Sequence, residues 1–402
     1  MIVPLFLFVY TSAQLYLWLQ FKRYLRDRVD GWRWGRAVTY LGLVLFILIS
    51  FPLAWRLFFG VSNDQPHHWL WYAALSGSLM WGIGSVGSAF ILLIYNVFRR
   101  FNLFFHRKPM DPALDSGRRN FLSKGIQLAA AAPFGFSAYS VLVERRRFQL
   151  EHFDVPVAGL SSALSQLTIA QLTDIHVGPF MSPDELAEYV EAVNRLRPDL
   201  IALTGDFVTG SESEVLPCAE TLGGLKARYG VFACMGNHDI YARATKELTR
   251  LFAARGIRVL SNDAAMIQVG ATALSVLGID DLKSGRPDLK RALAIAGQNM
   301  AEARVLLSHR PEIFPAAAQQ GMDLVLSGHY HGGQVKLTPD AESLSIARFL
   351  TPYAEGMFQL SHRLVGDRKH STLFVSRGIG ISGLPIRINC PPQIAHLTLR
   401  RA

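Results

Sequence analysis

The chain has 402 residues, half of them hydrophobic, and a formal charge of +10, enough length for two or three domains with cores of their own. The charge is uneven: residues 1–150 hold 17 Lys and Arg against six acids, whereas the remaining 24 basic and 25 acidic residues nearly cancel. A nucleic-acid binder would carry its positive charge on its polar domain, so no nucleic-acid partner is indicated.

From the N-terminus, uncharged stretches run from Met1 to Phe21, Ala37 to Trp55 and Trp69 to Phe98. Each reaches the roughly 20 apolar residues that span a bilayer, with Trp69, Trp71 and Tyr95 near the ends, where interfacial aromatics are expected. A fourth stretch, Gly125 to Val143, is Ala-rich, carries Pro133 and is the weakest of the four. Residues 1–150 therefore read as an all-α transmembrane domain of about four helices, and 151–402 as a separate domain.

Basic residues orient the spans. The first connection carries Lys22, Arg23, Arg26, Arg28, Arg33 and Arg36; the third carries Arg99, Arg100, Arg107, Lys108, Arg118, Arg119 and Lys124; the second, Val61 to His68, carries no Lys or Arg. That bias puts connections one and three in the cytoplasm. A spanning fourth stretch then exports everything after it, with Arg145-Arg146-Arg147 a mild opposing signal. The protein is expected in the cytoplasmic (inner) membrane with its second domain extracytoplasmic, or cytoplasmic if Gly125–Val143 does not span. Gly117-Arg118-Arg119-Asn120-Phe121-Leu122 resembles a twin-arginine export signal, although it is internal and lacks the flanking Ser and Lys. An ordinary cytoplasmic flank of a membrane helix places the next domain on the same side.

From about residue 155 short aliphatic runs alternate with helical ones such as Pro183 to Arg197. Five runs end in good metal donors: Leu167–Leu172 leads to Asp174 and His176, Leu200–Leu203 to Asp206, Val231–Met235 to Gly236-Asn237-His238-Asp239, Ala303–Leu307 to His309 and Arg310, and Leu324–Leu326 to Gly328-His329-Tyr330-His331-Gly332-Gly333. Strands alternating with helices imply a largely parallel sheet with ligands gathered at its carboxyl ends. Any one of these turns is ordinary, since a strand-end Asp often caps the next helix. Five of the twelve histidines falling in these turns is not explained by independent capping.

In order and spacing these motifs resemble the calcineurin-like metallophosphoesterase superfamily, across roughly 155–400. Gly332-Gly333-Gln334, Gly278-Ile279-Asp280-Asp281 and the tail Arg377-Gly378-Ile379-Gly380 through Leu384-Pro385-Ile386-Arg387 to Cys390-Pro391-Pro392 are similar to the membrane-anchored branch with twin-arginine-exported bacterial phosphoesterases. That branch also holds enzymes similar to UDP-2,3-diacylglucosamine hydrolases of lipid A synthesis. The resemblance implies a four-layer α-β-β-α sandwich and a site with two divalent cations (Mn, Fe or Zn). The first would be held by Asp174, His176, Asp206 and His331, the second by Asp206, Asn237, His309 and His329. Two cations about 3.5–4 Å apart neutralise a phosphoryl group and hold attacking and leaving oxygens in line; because they repel, Asp206 is the expected bridge. Metals lower the pKa of water from 15.7 to about 7, so no separate base is required. His238 is expected to stabilise the transition state or protonate the leaving oxygen, with Asp239 orienting it. Arg310 and Tyr330 are candidate substrate contacts, a surface salt bridge being the plainer reading of Arg310.

The expected function is hydrolysis of phosphodiester or pyrophosphate bonds in envelope or lipid-linked substrates. The alternatives are a cytoplasm-facing UDP-2,3-diacylglucosamine hydrolase and a non-enzymatic membrane scaffold, the last opposed by a complete ligand set. Oligomeric state is not indicated. Cys234 reads as a buried strand residue; Cys218, Cys234 and Cys390 make no disulfide framework, with a Cys218–Cys390 bridge left open. Phe349, Leu350, Tyr353 and Phe358 read as core, the alternative being a lipid-facing groove.

Overall fold

The structure, a computed structural model, describes residues 2–26, 32–59, 69–105, 112–297, 301–361 and 370–401, in two units, Met1–Val143 and Glu144–Ala402. The connection Val61 to His68, with Arg28, Arg107 and Lys108, lies outside the described residues, as do the side chains of Arg33, Arg36, Arg118 and Arg119.

The described residues of the first unit form four helices: α1 (Ile2–Arg26), α2 (Trp32–Phe59), α3 (Trp69–Phe105) and α4 (Pro112–Leu142). Among the described residues, three segments are long and apolar enough to cross a membrane: Ala37–Trp55, Leu70–Phe101 and Phe121–Arg146. The stretch that looked weakest thus qualifies. Pro133 sits inside α4 without ending it, and Phe121 and Leu122 add apolar residues ahead of the uncharged core. α1 is not among the three; its first side chains lie outside the described residues. Polar groups join the helices: Tyr10 donates to Ser50 at 2.7 Å, Gln14 to Ser85 at 2.6 Å, and Ser137 to the carbonyl of Met80 at 2.9 Å. Such pairing is how polar side chains are accommodated among apolar helices.

The second unit alternates strands and helices: β1 (Gln149–Val157), β2 (Thr168–Leu172), α5 (Pro183–Leu196), β3 (Leu200–Thr204), α6 (Val215–Leu222), β4 (Val231–Cys234), α7 (Asn237–Tyr241), α8 (Thr245–Ala253), β5 (Ile257–Val259), β6 (Asp263–Val269), β7 (Thr272–Gly278), α9 (Leu289–Ala296), β8 (Ala303–Leu307), α10 (Phe314–Gln319), β9 (Leu324–Ser327), β10 (Gly356–Ser361), β11 (His370–Val375) and β12 (Gln393–Arg401). Local signals set the boundaries. Ser182 accepts from the amide of Glu185 at the start of α5, Pro183 opens the helix, and Arg197 closes it in the left-handed region, as capping requires.

Strand periodicity builds the layers. In β3, Ile201 and Leu203 pack with Leu186 of α5, Leu222 of α6 and Leu248 of α8, while Leu200 and Ala202 face the other way, toward Val305 and Leu307 of β8 and Leu324 and Leu326 of β9. In those strands Leu306 and Val325, out of phase by one, pack with Ala292 of α9 and Phe314 and Ala317 of α10. Side chains alternate faces along a strand, so three apolar layers separate helix, sheet, sheet and helix. One mixed six-stranded sheet runs β1-β12-β2-β3-β4-β5 and the other β10-β11-β9-β8-β7-β6. This is the four-layer sandwich expected.

Two expectations are corrected. All three cysteines are free and buried; Cys218 donates to the carbonyl of Phe207 and Cys390 to that of His331, so no Cys218–Cys390 bridge forms. The four residues read as core split: Tyr353 stacks edge-on against Phe314 and Phe358, but Phe349 and Leu350 are exposed.

Candidate metal centre

The donors sit where parallel strands end. Asp174 and His176 follow β2, Asp206 follows β3, Asn237 and His238 open α7 after β4, His309 follows β8, and His329 and His331 follow β9. At five of these positions the backbone turns through the left-handed region, with φ of 52° at Asp174, 51° at His176, 56° at Asp206, 75° at His329 and 50° at His331. Such geometry costs a non-glycine residue about 1–3 kcal/mol and gathers at functional sites. In the last turn Gly332 and Gly333 also adopt positive φ, whereas Gly328 serves close approach, since a Cβ there would overlap the Asp174 carboxylate.

The turns bring six of the seven expected donors together, Asn237 instead meeting Arg310. His331 Nε2 lies 3.3 Å from Asp174 Oδ1 and 3.2 Å from His176 Nε2. Asp206 Oδ2 is 3.6 Å from His176 Nε2 and 3.2 Å from His309 Nε2, which lies 3.2 Å from His329 Nδ1. Among the described residues, three sets have ligand atoms within 4.8 Å of one another: Asp174, His176 and His331; His176, Asp206 and His238; Asp206, His309 and His329. His176 and Asp206 are each common to two of them.

Electrostatics leaves the cluster wanting positive charge. Burial, opposed by Asp206, pushes His176 down to about 3 and His331 well below its ordinary value, and burial beside His309 and Arg310 takes His329 down to about 2. These imidazoles are therefore neutral, the form that coordinates metal. Burial pushes Asp174 up to about 6, and repulsion from Asp206 adds to it. Asp206 is also buried, yet His309, His176 and His238 outweigh burial and hold it below the usual carboxylate range. His309 shows the converse: burial disfavours its charge, but Asp206 raises it to about 10. A proton on His309 and a cation beside Asp206 are alternative solutions to one charge problem. Convergent, buried oxygen and neutral-nitrogen donors fit divalent transition-metal ions.

The supporting groups differ from expectation in three places. Asp239 does not orient His238. Its oxygens accept the amides of Asp206, Phe207, Val208 and Gly236 at 2.7–3.2 Å, tying the β3 and β4 turns together, while His238 Nδ1 lies 2.8 Å from the carbonyl of Thr209. Arg310 is not a surface residue. It is buried, its Nε donates to Asp281 at 2.8 Å and its Nη2 to Asn237 Oδ1 at 3.2 Å, and Nη1 meets His329. Tyr330 is half-buried and donates to Glu312; burial and that carboxylate push its hydroxyl up to about 12. Three supports went unread. The Thr204 carbonyl lies 2.8 Å from His309 Nδ1. Asp281, quoted from the sequence without a role, anchors Arg310. Arg387, fully buried, donates to the carbonyls of Arg377, Gly378, Gly380 and Cys390 and approaches His331 Nδ1 at 3.4 Å. The signal for Arg387 was the tail motif itself, where an arginine stands among apolar residues.

Residues 167–333 match the family model for calcineurin-like phosphoesterase. The chain is 29% identical over 407 residues to a transmembrane protein with metallophosphoesterase domain from Danio rerio, covering 97% of this chain and 87% of that one. It is 27% identical over 369 residues to an uncharacterized metallophosphoesterase from Helicobacter pylori, covering 90% of each. An uncharacterized metallophosphoesterase from Bacillus subtilis is 26% identical over 296 residues, covering 70% of this chain and 97% of the relative.

Proposed function

Because the second unit is a calcineurin-like metallophosphoesterase domain, and so a phosphoester hydrolase, we propose that the protein is a membrane-anchored enzyme cleaving phosphodiester or pyrophosphate bonds in envelope or lipid-linked substrates with two divalent cations. The observation that carries this reading is Asp206, whose Oδ2 lies 3.6 Å from His176 Nε2 and 3.2 Å from His309 Nε2, in a chain whose described residues hold three candidate spans. Asp174, His176 and His331 would hold one cation, and Asn237, His309 and His329 the other, with Asp206 between them. Bound there, two divalent cations supply charge neutralisation for the phosphoryl group and an acidified water.

The chain's own groups do the rest. Asp239 fixes the β3 and β4 turns so that Asp206 cannot swing. His238, its ring held at Thr209, protonates the leaving oxygen or stabilises the charge that develops on it. Arg310 braces Asn237 and His329 while Asp281 balances its charge, and its guanidinium adds positive potential for an anionic substrate. The basic bias of the connections supports a second unit outside the cytoplasm. Purified full-length protein supplied with Mn²⁺ or Zn²⁺ is expected to hydrolyse aryl phosphodiesters; no turnover of any aryl phosphoester would sink the proposal.

A further inference from the structure

The segment after the last histidine turn is folded inside out. Lys336 and Ser345 pair as an antiparallel bridge and the amide of Leu337 donates to the carbonyl of Leu344 at 3.1 Å, so residues 335–346 form a short hairpin. Along it the usual alternation is reversed. Lys336 is 3% exposed, and Ser343 and Ser345 are buried with it. Inside, the lysine meets Glu355 Oε1 at 2.5 Å and the carbonyls of Pro339 and Asp340 at 2.7 and 3.0 Å. Facing out are Val335, Leu337, Leu344 and Ile346, followed by Phe349 and Leu350; Leu337 is 74% exposed and Phe349 78%. A register shift of one residue would bury the aliphatic side chains and free the lysine. The fold instead keeps a desolvated ion pair, which is costly unless fully bonded. The apolar face is therefore specified, and a contiguous exposed face marks an interaction site where scattered residues would not.

We propose that this face docks into the interfacial layer of a lipid bilayer. Its exposed apolar residues are Val, Leu, Ile and Phe, without the Tyr and Trp anchors common at protein interfaces, and the half-buried Arg348 among them is held to the carbonyl of Ala341. The chain supplies the membrane: its last candidate span ends at Arg146, shortly before β1 begins at Gln149, and extended chain reaches at most about 3.6 Å per residue. The exposed acids Asp340 and Glu342 at the hairpin turn argue against attachment through anionic headgroups, so zwitterionic lipid suffices. The hairpin also lies beside the site, since Gly333, just past His331, sits against Ser345. Docking would bring the turn of His329 and His331 to the depth of lipid headgroup phosphates. That last step rests on the lipid-linked substrate proposed above; the docking does not.

The three native thiols are buried, so an introduced cysteine can carry a nitroxide alone. In full-length protein reconstituted into phosphatidylcholine vesicles, Leu337→Cys and Phe349→Cys labels are expected to relax more with oxygen than with a water-soluble nickel chelate. A label at Lys246→Cys, exposed on α8, should show the reverse order. Nickel exceeding oxygen at Leu337→Cys and Phe349→Cys overturns the proposal, whatever the protein's activity. Dipolar broadening between labels, which diminishes on dilution with unlabelled protein, overturns it in favour of a second copy on this face.

Discussion

At His238 the backbone and the side chain have separate tasks. The amide donates to Asp206 Oδ1 at 2.8 Å, and the ring leans on the carbonyl of Thr209 at 2.8 Å. A carbonyl only accepts, so Nδ1 carries a proton and Nε2 is the atom turned to chemistry. His238→Ala removes the ring but keeps the amide, leaving Asp206 in place. Turnover of an aryl phosphodiester is expected to fall by about 10²–10⁴, the usual worth of a positioned acid, while metal content by elemental analysis stays near wild type. Loss of metal would instead make His238 a ligand, a role its place beside His176 and Asp206 leaves geometrically open.

At the scale of elements, the candidate centre is a seam. Asp174, His176, Asp206 and Asn237 hang from β2, β3 and β4 of one sheet, and His309, His329 and His331 from β8 and β9 of the other. A cation held by both groups joins the sheets, and a ligand that binds only the folded state stabilises by about 2.7 kcal/mol at one hundred times its Kd. Chelation should therefore lower the unfolding temperature of the second unit by several degrees, and Mn²⁺ or Zn²⁺ should restore it. Cys218, Cys234 and Cys390 are the chain's three cysteines, all in this unit and all buried. A thiol-reactive dye reads its unfolding without signal from the helices; an unchanged midpoint after verified metal removal would count against the seam. The strand-end donors were legible because each directly follows an apolar run that can only be a buried strand. The partners of those donors were not. Thr204 and Thr209 act through carbonyls, which every residue has, and the burial of Arg310 depends on Asp281 arriving from a distant loop. Nor could the sequence reveal the inverted hairpin. Alternation at Lys336-Leu337 and Leu344-Ser345-Ile346 announces two faces, but which face turns inward is set by Glu355 and the carbonyls of Pro339 and Asp340, which hold Lys336.

For the whole molecule, the side of the membrane turns on one crossing. The second unit is separated from the basic connection between α3 and α4 only by the candidate span Phe121–Arg146, so whether α1 crosses affects the N-terminus and nothing beyond it. Ahead of the span's uncharged core, Gly125–Val143, stand Arg99, Arg100, Arg107, Lys108, Arg118, Arg119 and Lys124; behind that core stand Arg145, Arg146 and Arg147. Basic residues near span ends are retained in the cytoplasm, and the larger group is ahead. The smaller group is also partly accounted for by folding. Arg145 donates to the carbonyl of Phe180 at 3.1 Å and lies over its ring, so its charge serves the packing of the second unit. A reporter active only outside the cytoplasm, fused after Ala402, is expected to be active, and a reporter that matures only inside the cytoplasm should stay dark. The opposite pattern would mean that Phe121–Arg146 does not cross despite its length and hydropathy, and would put the candidate centre within reach of nucleotide-activated lipids such as UDP-2,3-diacylglucosamine. The apolar hairpin discriminates poorly between these outcomes, because either leaflet offers it hydrocarbon. Only the charge asymmetry around α4 chooses a side, and the reporter pair tests that asymmetry directly.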